Sequence, residues 1–189
     1  MNVPGMDLLL PAGVAALLAW FASMLVHLVL KYHNSDYNQL DNELDVASVL
    51  GATKPKPNIY NLPFCTDMKA LEDDGMKRRF EEGPVALVTV LPNGLPPMGK
   101  LIGLQVAYFL IGALLIGYCV SLALAPGAPY MQVFRVTSAV AFLAYGWAVI
   151  PFAIWYGHPW SVTAKYLLDA LIYGLVTAGA YAWLWPAPA

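Results

Sequence analysis

Long apolar stretches and one polar segment alternate along the 189-residue chain. A helix crosses the ~30 Å hydrocarbon core of a bilayer with about 20 mostly apolar residues, because it rises ~1.5 Å per residue. Four stretches meet that length, at residues 8–31, 101–124, 130–155 and 163–185. The pattern therefore predicts an all-α membrane protein with four transmembrane helices.

The polar segment, residues 32–99, separates the first predicted span from the other three and carries most of the charge. Eight of the ten Lys and Arg residues and ten of the twelve Asp and Glu residues lie from Lys31 to Lys100. A segment of this size is small for a separate domain. We therefore expect it to pack against one end of the helical bundle.

Short elements are predicted inside this polar segment. Residues 41–51 are typical of a helix capped by Asp41, and residues 66–84 of a helix that begins at a Thr/Asp cap and stops at Gly83. The apolar residues 85–90 fit either a short strand or an edge that lies on the bilayer.

The composition also indicates a membrane protein. Hydrophobic residues make up 59% of the chain and charged residues 12%, against roughly 25% charged in soluble proteins. The first apolar stretch lacks a basic N-terminal flank and is longer than the about 7–15 apolar residues of a secretory signal, so we expect it to be retained. The expected partners are the lipid bilayer and other membrane subunits or further copies of the chain, and no nucleic acid.

The positions of the lysines predict the orientation, since cytoplasmic flanks of spans are enriched in Lys and Arg. Lys31, Lys100 and Lys165 all flank one face of the predicted bundle. The opposite face, made of the N-terminus, the 125–129 turn and the C-terminal PAPA, has no Lys or Arg outside the membrane. We therefore expect a multi-pass protein of a bacterial inner membrane with both termini periplasmic and the polar segment cytoplasmic.

The histidines do not predict a local metal site. His27 and His33 are six residues apart, which places them about 240° apart on a continuous helix, unlike the i,i+4 pair that chelates a metal. A site completed by His158, which is expected at the same face, stays open. Neither a metal nor another cofactor is predicted.

A stripe of small residues leads to His27 and favours close helix contact on that side. Its members are Ala12, Ala16, Ala19 and Ser23.

A buried polar layer is predicted where this stripe ends. His27, Gln105 and Asp169 lie at similar depths in three different spans, with Lys165 one turn outward of Asp169. Ionisable groups inside a membrane indicate function by default. The favoured alternative is architectural: Asp169 pairs with Lys165 at i,i+4 and hydrogen-bonds the other two, which holds the helices in register.

Three further side chains lie inside predicted spans. Arg135, near the outer end of the third span, is expected to snorkel to the interface or to pair with Asp7. Trp20 and Trp147 lie near mid-membrane, where core packing is the usual reason for tryptophan and the lining of a lipid or cofactor cavity is the alternative.

Several segments resemble an uncharacterised family of short bacterial integral membrane proteins with four spans. The resemblance covers most of the chain and implies a fold but no activity. The topology is also similar to that of four-span glutathione- and eicosanoid-metabolising membrane enzymes, whose Arg, Asn and Glu pattern at the start of span two is absent here. The segments that carry the first resemblance are LVLKYHNSDYNQLDNE, GPVALVTV, MGK, VFRVTSAVAFLAYG and PWSVTAKYLLDALIYGLVTAG.

Three classes of function follow. A structural or accessory subunit of a membrane assembly needs only helix faces and a docking segment, and is the first hypothesis. A small oligomeric transporter or channel would use the buried His/Asp layer, although no Gly/Pro-broken helix pair is expected. A four-span membrane enzyme would need a nucleophile or a metal cluster, and no such motif stands in the sequence.

Overall fold

The computed structural model describes residues 5–65 and 67–188. The chain divides into two compact units. The bundle unit comprises the residues up to Tyr37 and those from Pro97 onward, and the inserted unit comprises Asn38–Pro96. The inserted unit lies within the polar segment of the sequence, residues 32–99.

Helices make up most of the described chain, which confirms the all-α class. In chain order, the α-helices of the described residues are α1 (Leu9–Met24), α2 (Glu43–Ala52), α3 (Asp74–Glu82), α4 (Met98–Ala123), α5 (Tyr130–Gly146), α6 (Ile150–Trp155) and α7 (Trp160–Trp183), and the strands are β1 (Asn58–Leu62) and β2 (Ala86–Val90).

Within the described residues, three helical stretches are long and apolar enough to cross a membrane: Gly5–Leu30, Met98–Ala123 and Tyr130–Trp155. They coincide with the first three predicted spans to within a few residues. The helix α7 occupies the fourth predicted span but is not among them, and Asp169 and the many aromatic residues lower its hydropathy. The fourth span therefore stays a prediction.

The ends of the bundle helices are grouped as the sequence predicts. At one end, Trp185 Nε1 donates a hydrogen bond to the Ala125 carbonyl at 3.0 Å, which joins the C-terminal segment to the turn between α4 and α5. At the other end, Lys165 Nζ donates to the Tyr32 carbonyl at 2.9 Å. Which of these ends faces the cytoplasm stays a prediction.

Small residues bring the helices close together in the half of the bundle near the C-terminus. A Cβ at Gly117 would overlap the hydroxyl of Tyr181, which donates to the Ala113 carbonyl at 2.7 Å. The predicted stripe takes part, because Ala12, Ala16 and Ala19 are buried. We call this part the closed half. It comprises the N-terminal part of α1, the C-terminal parts of α4 and α7, and the first three turns of α5.

Two spans lose regular α-helical geometry in the other half of the bundle. The first span widens to a π-helical turn over Leu25–Leu30, where the Lys31 N–H bonds the Val26 carbonyl at 3.0 Å, and Lys31 itself is left-handed with φ 53°. The third is interrupted by a 3₁₀ turn at Trp147–Val149, just before Pro151. Proline has no N–H and its ring disturbs the preceding turn.

The inserted unit begins with a helix that lacks the predicted cap. The helix α2 starts at Glu43 after Asn42, and in this part of the described chain no side chain caps it, so the prediction of Asp41 as the cap was wrong.

The helix α3 (Asp74–Glu82) is shorter than the predicted helix at residues 66–84 but stops at Gly83, as predicted. It begins after Asp73, whose Oδ2 accepts a hydrogen bond from the Met76 N–H at 2.8 Å, and it stops at Gly83. Upstream, Asp67 Oδ1 accepts from the Ala70 N–H at 2.8 Å and caps a separate 3₁₀ turn. The Thr residue of the predicted cap lies outside the described residues.

A two-stranded antiparallel ladder completes the inserted unit. Tyr60 in β1 stands opposite Val88 in β2. The strand alternative for residues 85–90 is therefore confirmed, while its pairing with residues 58–62 was not predicted. Most side chains of the ladder are at least partly exposed.

Candidate functional site

A cavity of about 560 Å³ lies among α1, α4, α5 and α7 in the half of the bundle opposite the closed half. We call this part the cavity half. The inner wall of the cavity is aromatic, and the polar side chains of the predicted layer, His27, Gln105 and Asp169, line it as well. The aromatic residues that line the cavity are Trp20, Tyr108, Phe109, Tyr145, Tyr166 and Tyr173.

His33, which the sequence separated from this layer, is part of its polar wall. The side chain is buried, and its two ring nitrogens each face a carboxylate. Nδ1 lies 2.6 Å from Asp36 Oδ2, and Nε2 lies 2.9 Å from Asp169 Oδ2. Asp169 is itself buried, with 3% of its surface exposed. His33 thus links the end of the first span to α7.

The prediction that His27 and His33 lie on different sides of one continuous helix was wrong. It assumed a continuous α-helix, whereas the π-helical turn ends at the left-handed Lys31 and a 3₁₀ turn at Tyr32–Asp36 folds the chain back. The two imidazole rings consequently stack, with centroids 4.9 Å apart and planes 13° from parallel. His27 is also exposed at the cavity rather than buried in the bundle.

Lys165 pairs with Asp36 rather than with Asp169, so the predicted i,i+4 pair within α7 was wrong. Lys165 Nζ donates to the Asp36 carboxylate and to Ser35 Oγ at 2.8 Å. The hydrogen bonds from Lys165 and His33 hold the pKa of Asp36 below its usual range, against the opposing effect of burial. Asp36 is therefore a carboxylate at neutral pH, and its contribution to stability is present above the ordinary carboxyl pKa and lost on acidification.

Tyr32 completes the surroundings of Asp169. Its hydroxyl donates to Asp169 Oδ1. Burial, followed by this hydrogen bond and the negative charge of Asp169, raises the pKa of Tyr32 well above its ordinary value. The phenol therefore stays protonated and remains a donor throughout the physiological range.

His27, His33 and Asp169 are the described residues that could hold a metal ion. One ligand atom of each lies within 4.8 Å of the other two. His158 lies elsewhere, with its ring against Phe152 at a centroid distance of 5.4 Å. Gln105 faces the cavity, and its amide has no hydrogen-bond partner within residues 5–65 and 67–188.

The other residues singled out in the sequence lie away from the cavity, except Trp20. Asp7 and Arg135 are both exposed, and neither forms an ion pair with a described residue. Trp20 lines the cavity, which was the less favoured alternative for it. Trp147 is exposed on the helix surface with 58% of its area accessible, so core packing does not explain it.

One sequence signal marks the turn that sequence periodicity missed. The apolar run stops at Leu30 and is followed by KYHNSD, where Asn, Ser and Asp favour turns over a continuing helix. If the helix ends at Leu30, the angle of about 240° between His27 and His33, which assumes a continuous helix, no longer applies. The partner of His33 on α7 is 136 residues away in sequence, and no local pattern points to it.

Comparison of the chain with models of known protein families, with curated proteins and with solved structures gives no match.

Proposed function

We propose that this protein is an integral membrane protein that binds a single-chain amphipathic lipid, with a fatty-acid-like headgroup, in the cavity half of its bundle. The observation that carries the proposal is one cavity with two kinds of wall. Its volume of about 560 Å³ falls within the range of roughly 300–1,000 Å³ that is typical of ligand sites. Such sites are mostly apolar with a few convergent polar groups.

The order of the wall residues along the helices supports an amphipathic occupant. Tyr173 lies one helical turn, about 6 Å, deeper in α7 than Asp169. Phe109 packs edge-on against Tyr173 with centroids 5.4 Å apart, so the deep end is aromatic. A chain inserted there would place its headgroup level with Asp169 and His27.

Two buried hydroxyls in the deep wall favour a ligand that brings a polar atom or water with it. The hydroxyls of Tyr145 and Tyr173 lie close to Thr177 and Ser23 respectively. Neither hydroxyl reaches hydrogen-bond geometry with a described residue. Buried polar groups without partners are rare in native proteins, so each calls for a partner.

A titration in detergent tests the proposal. Delipidated protein is titrated with a dansyl-labelled long-chain fatty acid, and energy transfer from tryptophan is recorded. We expect saturable binding. The Trp20→Phe variant should lose most of the transfer, because Trp20 lines the cavity, whereas Trp147→Phe should keep it.

A blocking variant provides the second arm. Ser23→Phe fills part of the cavity and should weaken binding about 5- to 150-fold, which corresponds to an overpacking cost of about 1–3 kcal/mol. Gly13→Phe, on the same helix with open space at its Cβ, is the matched control. Transfer that rises linearly without saturating, equally in all four variants, would mean simple partition into the micelle and would end the proposal.

The proposed orientation in a bacterial inner membrane has its own test. Because the lysines flank one face, we expect a reporter fused after Ala189 to be periplasmic. A reporter inserted at Gly51 should be cytoplasmic. Opposite readings at both sites would invert the topology. The accessory-subunit hypothesis stays a prediction, and mass spectrometry of proteins that co-migrate in mild detergent tests it.

A further inference from the structure

We propose that His27, His33 and Asp169 form a binding site for a divalent transition-metal ion of the zinc or ferrous class. The ligand atoms would be His27 Nε2, His33 Nε2 and Asp169 Oδ2. The inference goes beyond the lipid site, which it adjoins, and does not need a lipid to be bound. It stands on how each ligand is held by a second group.

The first histidine is oriented by a backbone carbonyl. His27 Nδ1 lies 3.0 Å from the Ser23 carbonyl oxygen, which can only accept a hydrogen bond. Nδ1 therefore carries the proton, and the lone pair of the neutral ring is on Nε2. A histidine that ligates a metal usually donates its other N–H in this way to a carbonyl or a carboxylate.

The second histidine is oriented by a carboxylate. His33 Nδ1 lies 2.6 Å from Asp36 Oδ2, and Lys165 Nζ donates to the other oxygen, Oδ1, so the carboxylate accepts from both and His33 Nδ1 donates. The carboxylate–histidine pair also makes the ring a better metal ligand. Lys165 and Asp36 balance each other in charge and act as an outer support.

The aspartate has one oxygen engaged and one directed at the histidine. Tyr32 donates to Asp169 Oδ1, while Oδ2 lies 2.9 Å from His33 Nε2. With Nδ1 of His33 protonated, Nε2 and Oδ2 are both acceptors. Two acceptors this close need a cation between or beside them, which is a proton or a metal ion.

The choice of metal follows from the donor set. Two imidazoles and one carboxylate are the ligands of catalytic zinc sites and of non-haem ferrous sites, both of which keep open positions. The open side here is the cavity, since His27 and Asp169 line it. A dication with one carboxylate keeps a net positive charge, which suits an anionic fourth ligand such as hydroxide or a carboxylate.

A metal titration without lipid tests the site. Purified protein is stripped with a chelator, titrated with Co(II) and followed by its visible absorption, after which Zn(II) is used to displace it. We expect about one ion per chain. His27→Gln and Asp169→Asn should each weaken binding at least about 100-fold, and Asp36→Asn about 10–100-fold as an outer support. His158→Gln, a histidine outside the cluster, should match the parent protein.

A replacement ligand keeps the test independent of folding. In a background in which Cys65 and Cys119 are replaced by Ser, His27→Cys should retain Co(II) and add the strong near-ultraviolet absorption of a cobalt–thiolate bond, which then has no other thiol as its source. Absence of Co(II) binding by the folded parent protein, or binding that His27→Gln and Asp169→Asn leave unchanged, would overturn the site. Because no lipid is present, failure here is separate from failure of the fatty-acid titration.

Discussion

The closed half and the cavity half of the bundle are built from the same helices but differ in side-chain size and in backbone regularity. In the closed half, small residues let the helices touch, and the buried Tyr181 hydroxyl donates a hydrogen bond to the Ala113 carbonyl. In the cavity half, large aromatic side chains line the space between the helices. There the backbone departs from the α-helix at Leu25–Leu30 and at Trp147–Val149.

The cavity and both departures from α-helical geometry lie in the same half of the bundle. Regular packing of small residues stabilises the contact between two helices but leaves no cavity between them. A regular helix also cannot change the direction of the chain. The π-helical turn and the left-handed Lys31 redirect the chain so that His33 faces α7, and π-helical turns occur frequently at functional sites. Substitutions in one half at a time test this difference, and unfolding in detergent measures each change in the free energy of unfolding.

The largest effect is expected from removing the Asp169 carboxylate, which joins α7 to the turn after the first span. Asp169→Leu leaves His33 and the Tyr32 hydroxyl buried without their partner, which should destabilise by about 3–5 kcal/mol. Leu168→Ala, next to it but exposed, should change stability far less. Equal effects of the two substitutions would mean that the polar cluster contributes little to stability.

A smaller loss is expected from adding one methyl group to the closed half. Gly117→Ala puts a Cβ into the Tyr181 ring and hydroxyl and should destabilise by about 1–3 kcal/mol. Gly103→Ala is the control on the same helix, because nothing lies within 4 Å of its Cβ. Thermal unfolding of both variants measures the difference. A Gly103→Ala variant less stable than Gly117→Ala would contradict the close contact at Gly117.

The left-handed residue is the next most sensitive point. Lys31→Val should destabilise by about 1–2 kcal/mol, since a β-branched residue fits φ 53° poorly. Lys31→Gly should be neutral or slightly stabilising, because glycine accepts this conformation freely. Similar losses in both variants would point to the lysine side chain rather than to the backbone.

The smallest effect is expected at the exposed charges. Arg135→Lys should change stability by less than about 0.5 kcal/mol, because both side chains can snorkel and neither pairs with a described residue. Asp7→Asn should be equally silent. A large loss from Arg135→Lys with a silent Asp7→Asn would indicate a bidentate partner for Arg135 in the membrane.

The sequence by itself determined where the bundle helices run and where they turn. The length of each apolar run sets the length of a span, and Pro and Gly end helices locally, so the boundaries at Leu30, Ala123, Tyr130 and Trp155 lie close to the predicted ones. It also placed His27, Gln105 and Asp169 at one level, because antiparallel helices of known length put equal depths together. These three side chains do line one cavity.

Only the tertiary structure decided which polar groups pair. Lys165 has Asp169 one turn away along α7, yet it bonds Asp36, and His33 takes the place at Asp169. Both outcomes depend on the direction of the chain after Leu30, which is set by one left-handed residue and by packing against a helix more than 120 residues later in the chain. Side-chain spacing along one helix contains no information about a partner that reaches it from another, so the proposed metal site emerges only once the chain is folded.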